Sequence, residues 1–135
     1  MTLAADIFDR VFLLIRDFER NFREQGDAEL STTQYQALAI LAEAEPVTAM
    51  AMAGLLRIAG PTATRTLDSL ERRELVVKER DPQDRRVVWL RITEAGRSAL
   101  AQQMERQRLW MEHILDPLTD ADRAHLHDIL EKLGL

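Results

Sequence analysis

The chain has no cysteine. Disulfides, thiol catalysis and cysteine-based redox sensing are therefore excluded. No apolar run approaches the roughly eighteen residues that a membrane-spanning helix needs. The opening, MTLAADIFDR, carries acids where a secretory signal carries a basic segment. The expectation is a cytoplasmic protein without membrane contact. Nucleophile motifs, phosphate-cradling glycine loops and zinc-ligand spacings are also missing, so neither enzymatic activity nor a cofactor or metal is expected. Internal repeats and low-complexity linkers are absent too, which leaves a single domain.

What is present fits that picture. A chain of 135 residues, 46% hydrophobic and 30% charged, has enough apolar material for one modest core. Its net charge of −5 argues at first against a polyanionic partner. The charge is uneven, however. From Arg57 to Arg97, ten Lys or Arg stand against seven Asp or Glu, so this segment carries +3 and the remainder −8. Local potential rather than total charge governs contact with phosphate. A solvated, mixed surface would show the same counts, so charge alone leaves both readings open.

The most informative stretch runs from Gly60 to Thr93. Pro61 suits a first helical turn, where its missing N–H costs nothing, and Gly60 is expected to cap that helix. Ala63, Leu67 and Leu70 then form one buried stripe. Thr62, Thr64, Arg65 and Ser69 lie on the other side, three hydroxyls and a guanidinium of the kinds that bond base edges or phosphates. Leu75 to Val77 begin a strand, Lys78 to Arg86 interrupt it, and Val88, Leu90 and Ile92 alternate in a second strand. The loop DPQDRR contains Pro82 to stiffen the turn, and Asp81 and Asp84 to bond local backbone. Arg85 and Arg86 stand at its tip, where a stiff arginine loop suits a narrow minor groove. Asp84 is spaced to orient the Arg86 guanidinium.

Around this stretch the chain reads as helices. The first is expected from about Ala4 to Arg23, with Ile7, Val11, Leu14, Ile15, Phe18 and Phe22 at helical spacing, Phe8 and Phe12 beside them, and Gly26 and Asp27 ending it. That is more apolar surface than one small core covers, so part of it is expected to pack on a second subunit. Ser31 with Gln34 forms a capping box for a helix burying Tyr35, Leu38 and Leu41. Thr48 caps a short helix to Leu56, with Met50 and Met52 expected in the core. Thr93 opens a long helix to about Leu115, with Leu100, Met104, Met111 and Ile114 on one stripe. Thr119 caps a last helix with Leu126, Ile129, Leu130 and Leu133 inward. Among the histidines, His125 and His127 point about 200° apart on a helix and do not share an ion.

The run from Leu30 to Leu100 resembles the winged helix-turn-helix of the MarR family of bacterial transcriptional regulators. The matching pieces are LSTTQYQAL, MAGLL, TATRTLDSLERREL, the DRR of the loop and LRITEAGRSAL. The loop followed at fixed spacing by ITEAGR is the most specific of them. The resemblance implies a mainly α fold with a small β-hairpin: a winged DNA-binding lobe over 30–93, and a helical dimerisation lobe over 1–25 and 94–135. It further implies a homodimeric repressor on a pseudo-palindromic operator in double-stranded DNA, with Arg86 entering the minor groove. Lack of cysteine removes the family's thiol-sensing branch. A small aromatic or phenolic effector is implied in a cleft between the lobes, where Arg16, Trp110 and His113 would serve a carboxylate ligand. Ordinary dimer packing of Trp110 and a surface His113 is the plainer account of the same residues. The chain departs from the family at Arg57, where a turn glycine is expected, at Ala59 in place of a capping serine, at Gly60, and at Glu74 in place of a helix-ending glycine. These departures keep an alternative open, a protein-interaction module that has kept the winged fold without operator binding.

Overall fold

The computed structural model describes residues 2–23 and 30–135, with only the backbone given for 22 and 23. The expected side chain of Phe22 and the helix end at Gly26 and Asp27 lie outside the described residues. In order, the elements are α1 (Leu3–Arg23), α2 (Thr32–Ala44), β1 (Val47–Thr48), α3 (Ala49–Leu56), α4 (Gly60–Arg72), β2 (Val76–Arg80), β3 (Val88–Ile92), α5 (Glu94–Leu115) and α6 (Asp120–Lys132). The chain divides into two compact units, Gly26–Met104 and Met1–Gln25 with Glu105–Leu135.

In the first of these units, local chemistry sets the helix boundaries. The Ser31 hydroxyl accepts from the Gln34 N–H at 3.1 Å, and the Gln34 side chain accepts from the Ser31 N–H at 2.9 Å. This closes the capping box that starts α2. The helix buries Ala37, Leu38 and Leu41, while Tyr35 stays half-buried. Thr48 Oγ1 accepts from the Ala51 N–H at 3.1 Å and opens α3. Met52 is fully buried there, but Met50, expected beside it in the core, is 87% exposed. Positions two apart on a helix point nearly opposite ways, so only one of the pair can face inward.

Between α3 and α4, Arg57 takes the left-handed conformation (φ 54) that usually selects glycine, and its N–H bonds the carbonyls of Ala53 and Gly54. Ala59, not Gly60, is the cap residue of α4. Its side chain makes no capping bond, and Gly60 is already helical. Ala63, Leu67 and Leu70 form the buried stripe. Glu74, also left-handed at φ 61, turns the chain into β2.

The sheet is antiparallel in the order β1-β3-β2. Val76 pairs with Ile92 and Arg80 with Val88, so Lys78 to Arg80, expected in the loop, extend β2 instead. They can be charged because β2 is an edge strand with one face in solvent. β1 is a third strand that sequence periodicity does not reveal, since two residues carry no alternation. Its Val47 pairs with Leu90, which is fully buried.

The start of α5 is fastened to this unit by backbone. Thr93 Oγ1 accepts from the Gly96 N–H at 2.9 Å and donates to the Glu74 carbonyl at 2.8 Å, while the Thr93 N–H bonds the Leu75 carbonyl at 3.1 Å. A Cβ on Gly96 would stand 2.2 Å from the Leu75 oxygen and 2.8 Å from Ile92 Cγ1. Glu45, at the end of α2, accepts from the Ile92 N–H at 3.0 Å and from Arg97 at 2.7 Å. The Ile92 N–H first, and then Arg97, hold its carboxyl below the usual range.

The other unit has little buried interior. Trp110 is buried, meets the Phe18 ring edge-on at 5.0 Å, and donates its indole N–H to Asp17 at 3.0 Å. Thr119 and Asp122 form a capping box for α6. Of the stripe expected on α5, Leu100 is buried and Ile114 half-buried, whereas Met104 and Met111 are exposed; Gly96, Gln103 and Trp110 are the other buried positions. Leu126, Ile129, Leu130 and Leu133 of α6, expected inward, are exposed as well. So are Ile7, Val11, Leu14 and Ile15 of α1, together with Phe8 (66% exposed) and Phe12. Among the described residues, no buried core receives these side chains.

The two backbone constraints make predictions of opposite sign. Gly96→Ala is expected to lower stability by about 2 kcal/mol, because a carbonyl on packed backbone cannot move aside like a side-chain tip. Glu74→Gly is expected to raise it by about 1 kcal/mol, by relieving the left-handed strain. Urea unfolding checks both: equal midpoints for Gly96→Ala and the unmodified protein would contradict the close approach.

Candidate nucleic-acid interface

Burial of Ala63, Leu67 and Leu70 decides which side of α4 faces water. Thr62, Thr64 and Arg65 are exposed on the opposite side. Thr64 donates its hydroxyl back to the Gly60 carbonyl at 3.0 Å, one turn earlier in the helix. Arg65 makes no hydrogen bond or ion pair among the described residues. Ser69 is placed differently. It is half-buried, and its hydroxyl accepts from Gln34 Nε2 at 2.9 Å, so it faces α2.

The α4 helix is also tied to the hairpin. Lys78 of β2, its side chain 22% exposed, is hydrogen-bonded to Asp68 and stands 3.9 Å from Glu71, one turn further along α4. The lysine holds the Asp68 carboxyl below its usual range. Sequence reading missed this contact, since nothing local distinguishes Lys78 from any solvated lysine.

In the wing, 81–87, Asp81 organises the loop. Its Oδ1 accepts from the N–H groups of Gln83 (2.8 Å) and Asp84 (3.0 Å), and its Oδ2 from the indole N–H of Trp89 (3.0 Å). The indole first, then the two backbone groups, depress its pKa. Arg80 donates to the Arg85 carbonyl at 2.9 Å. Asp84 accepts from the Arg86 backbone N–H at 3.0 Å, and holds the guanidinium through Nε at 3.1 Å and Nη2 at 3.3 Å. The guanidinium first, then the backbone N–H, lowers the Asp84 pKa. Arg86 remains 91% exposed, a cation fixed in direction yet open to solvent. Arg85 is exposed, and its side chain makes no hydrogen bond or ion pair among the described residues.

Arg57 stands out in the sequence only as a missing glycine. It is exposed in the turn ahead of α4, again with no such partner among the described residues. The arrangement therefore presents unneutralised arginines on a turn, a helix face and a loop, supported by paired charges behind them. That is a surface suited to a polyanion.

The residues expected at an effector site do not all meet. Trp110 and His113 line a hollow of about 230 Å³ together with Asn21, Arg106 and Leu109. Asn21 Oδ1 is buried there without a hydrogen-bond partner among the described residues. Arg16 is exposed on α1 and is not part of the lining. Trp110 is engaged with Asp17 and Phe18. The Asp17 carboxyl is lowered first by the indole N–H and further by Arg20.

Comparison with known proteins places this architecture. The profile of the MarR family matches residues 30–88. The HTH-type transcriptional regulator YpoP of Bacillus subtilis is 32% identical over 124 residues, spanning 92% of this chain and 86% of that protein. Two solved structures share the fold. The repressor CouR, bound to a 23-mer DNA duplex, superposes with a TM-score of 0.75 at 24% identity, over 99% of this chain and 93% of its own. The regulator PcaV of Streptomyces coelicolor, in complex with its natural ligand, gives 0.73 at 22% identity, over 99% and 95%. A winged helix-turn-helix assembled from these residues, with a relative of that identity along almost the whole chain, means that the protein belongs to the MarR family of helix-turn-helix transcriptional regulators.

Proposed function

We propose that the protein is a sequence-specific DNA-binding repressor that acts as a homodimer and whose hold on DNA is modulated by a small ligand. One observation carries the reading of DNA. The exposed side of α4 offers Arg65 without an internal partner between Thr62 and Thr64, while the wing offers Arg86 fixed by Asp84. A helix face with an unpaired guanidinium suits base edges in a major groove, and a stiff arginine tip suits the minor groove beside it. The interaction-module alternative depends on the unusual turn before α4. That turn is closed by the bonds of Arg57 to Ala53 and Gly54, which supports the DNA-binding reading over it. CouR, a repressor seen on DNA, and PcaV, a regulator seen with its ligand, have the same fold and support the reading by analogy.

The homodimer is supported by the apolar faces of α1 and α6. Phe8 and Phe12 stack at 6.0 Å and remain exposed, and Leu133 is 69% exposed. Surfaces of this kind mark association sites, and a two-fold dimer matches a two-fold operator. The ligand is supported by the hollow at Trp110, which combines an aromatic wall, the cationic Arg106, the ring N–H of His113 and the buried oxygen of Asn21. These groups suit a small aromatic acid.

Selection from a random duplex library tests the function directly: the protein is expected to enrich a pseudo-palindromic sequence, and failure to enrich any sequence would refute specific binding. Arg65→Ala should then cost about 1 to 3 kcal/mol on the enriched duplex and much less on the library, if Arg65 bonds a guanine edge. Equal losses would reassign it to phosphate.

Arg86→Ala should weaken binding without affecting folding and flatten the salt dependence by about one unit of slope for each phosphate that the guanidinium no longer neutralises. Asp84→Asn should give a milder form of the same defect. Fluorescence anisotropy across a salt series checks this, and unaltered affinity and slope in Arg86→Ala would remove the wing from the mechanism.

The oligomeric state is checked by light scattering. The unmodified protein should have a dimer's mass, and replacement of Phe8 and Phe12 by aspartate should reduce it to a monomer's. A dimer that survives both changes would place the interface elsewhere.

A further inference from the structure

A capping box needs one residue to reach back to the helix start, and Gln34 does this for Ser31. Its side chain does two further things. The oxygen that accepts from the Ser31 N–H also accepts from Arg73 Nη1 at 3.2 Å, and the amide nitrogen donates to Ser69 Oγ at 2.9 Å. Ser69 is in the last turn of α4 and Arg73 is its C-cap, whose N–H bonds the Ser69 carbonyl at 3.1 Å, so the two are neighbours. A single half-buried amide therefore joins the first turn of α2 to the last turn of the reading helix. All of its partners belong to the same compact unit.

The stripe of Ala63, Leu67 and Leu70 holds α4 to the core, but apolar contact is not directional and tolerates a roll of the helix about its axis. Two hydrogen bonds from one planar amide are directional. A roll of about 10° moves a group at the roughly 6 Å radius of the side-chain shell by about 1 Å, which is enough to spoil a bidentate contact. We propose that Gln34 is a positioning residue: through Ser69 and Arg73 it sets the roll of α4, and with it the discrimination between base sequences by Thr62, Thr64 and Arg65. This rests on the DNA-reading function proposed above.

The test compares affinities for the duplex enriched by the unmodified protein and for the random library, by fluorescence anisotropy. Their ratio is insensitive to phosphate contacts, whose removal weakens both affinities alike. Ser31→Ala removes only the cap, so its melting temperature should fall while the ratio stays within about twofold. Gln34→Ala should melt similarly but lose about tenfold in the ratio, the scale of one degraded base contact. Gln34→Glu preserves the capping box, pairs with Arg73 and accepts the Ser69 hydroxyl proton, so it should restore most of the ratio. Arg73→Met removes the guanidinium that Gln34 holds and leaves the box whole. It should lower the ratio by about threefold or more, and it decides the matter if Gln34→Ala does not fold. A Gln34→Ala ratio equal to that of Ser31→Ala, or an unchanged ratio in Arg73→Met, overturns the proposal while leaving the DNA function standing. An unmodified protein that enriches no duplex overturns both.

Discussion

The approach of the α5 backbone to the Leu75 carbonyl is the constraint on which the winged unit depends. At Gly96 the two chain segments are so close that a methyl group would overlap the carbonyl oxygen, and the preceding Thr93 is bonded to the carbonyls of both Glu74 and Leu75. These groups lie where α4 gives way to β2. Glu45 completes the joint from the end of α2, by taking the Ile92 N–H and Arg97. The family motif ITEAGR thus has a physical content: a threonine that caps and crosslinks, a glycine that permits contact, and an arginine that meets the acid of another helix. Glu74 must turn sharply to deliver Leu75 to this joint, which accounts for a left-handed residue at a position where glycine would be easier.

From that joint outward, directional contacts replace apolar ones. Leu38, Leu41, Met52, Leu70 and Leu90 make a dry centre, which fixes that α4 packs but not how it is aimed. Lys78 between Asp68 and Glu71, and Gln34 between Ser69 and Arg73, grip α4 from the sheet side and from α2. The wing is treated in the same way. Trp89 holds Asp81, Asp81 folds the turn that presents Asp84, and Asp84 aims Arg86. In the wing, a series of partly shielded polar groups thus directs one that is exposed. This ordering suits a surface whose exposed groups must be still before the partner arrives.

What is legible in the sequence is what is local in the chain. The hydroxyl caps Ser31, Thr48 and Thr119 follow from residues at most three apart, as does the loop between two alternating strands. The Asp84 and Arg86 side chains are close enough in sequence for their pairing to be read, although a pairing does not say what it touches. What fails is tertiary. The inward face of α5 could not be chosen by hydrophobicity, because the winning stripe includes Gly96 and the buried Gln103 while Met104 and Met111 are left out. Ser69 looks like part of the reading face because its partner Gln34 is 35 residues away. The apolar positions of α1 and α6 show helical periodicity without saying whether the surface that covers them belongs to the same chain.

Charge illustrates how far counting goes. The Arg57 to Arg97 segment carries +3 by composition, but many of its cations are already committed. Lys78, Arg91 and Arg97 meet carboxylates, Arg73 meets Gln34, and Arg80 meets a backbone carbonyl. Such cations cannot reach a phosphate without first giving up a partner. The side chains of Arg57, Arg65 and Arg85 have no hydrogen-bond or ion-pair partner among the described residues, and that of Arg86 has one that aims it without covering it. They occupy the turn, the helix face and the wing, so unpaired or open guanidinium groups stand on those three elements. The −8 carried by the rest of the chain then discourages polyanions elsewhere, because like charge repels over about a Debye length, ~8 Å at physiological salt. A protein acidic overall can in this way keep one surface attractive to a polyanion.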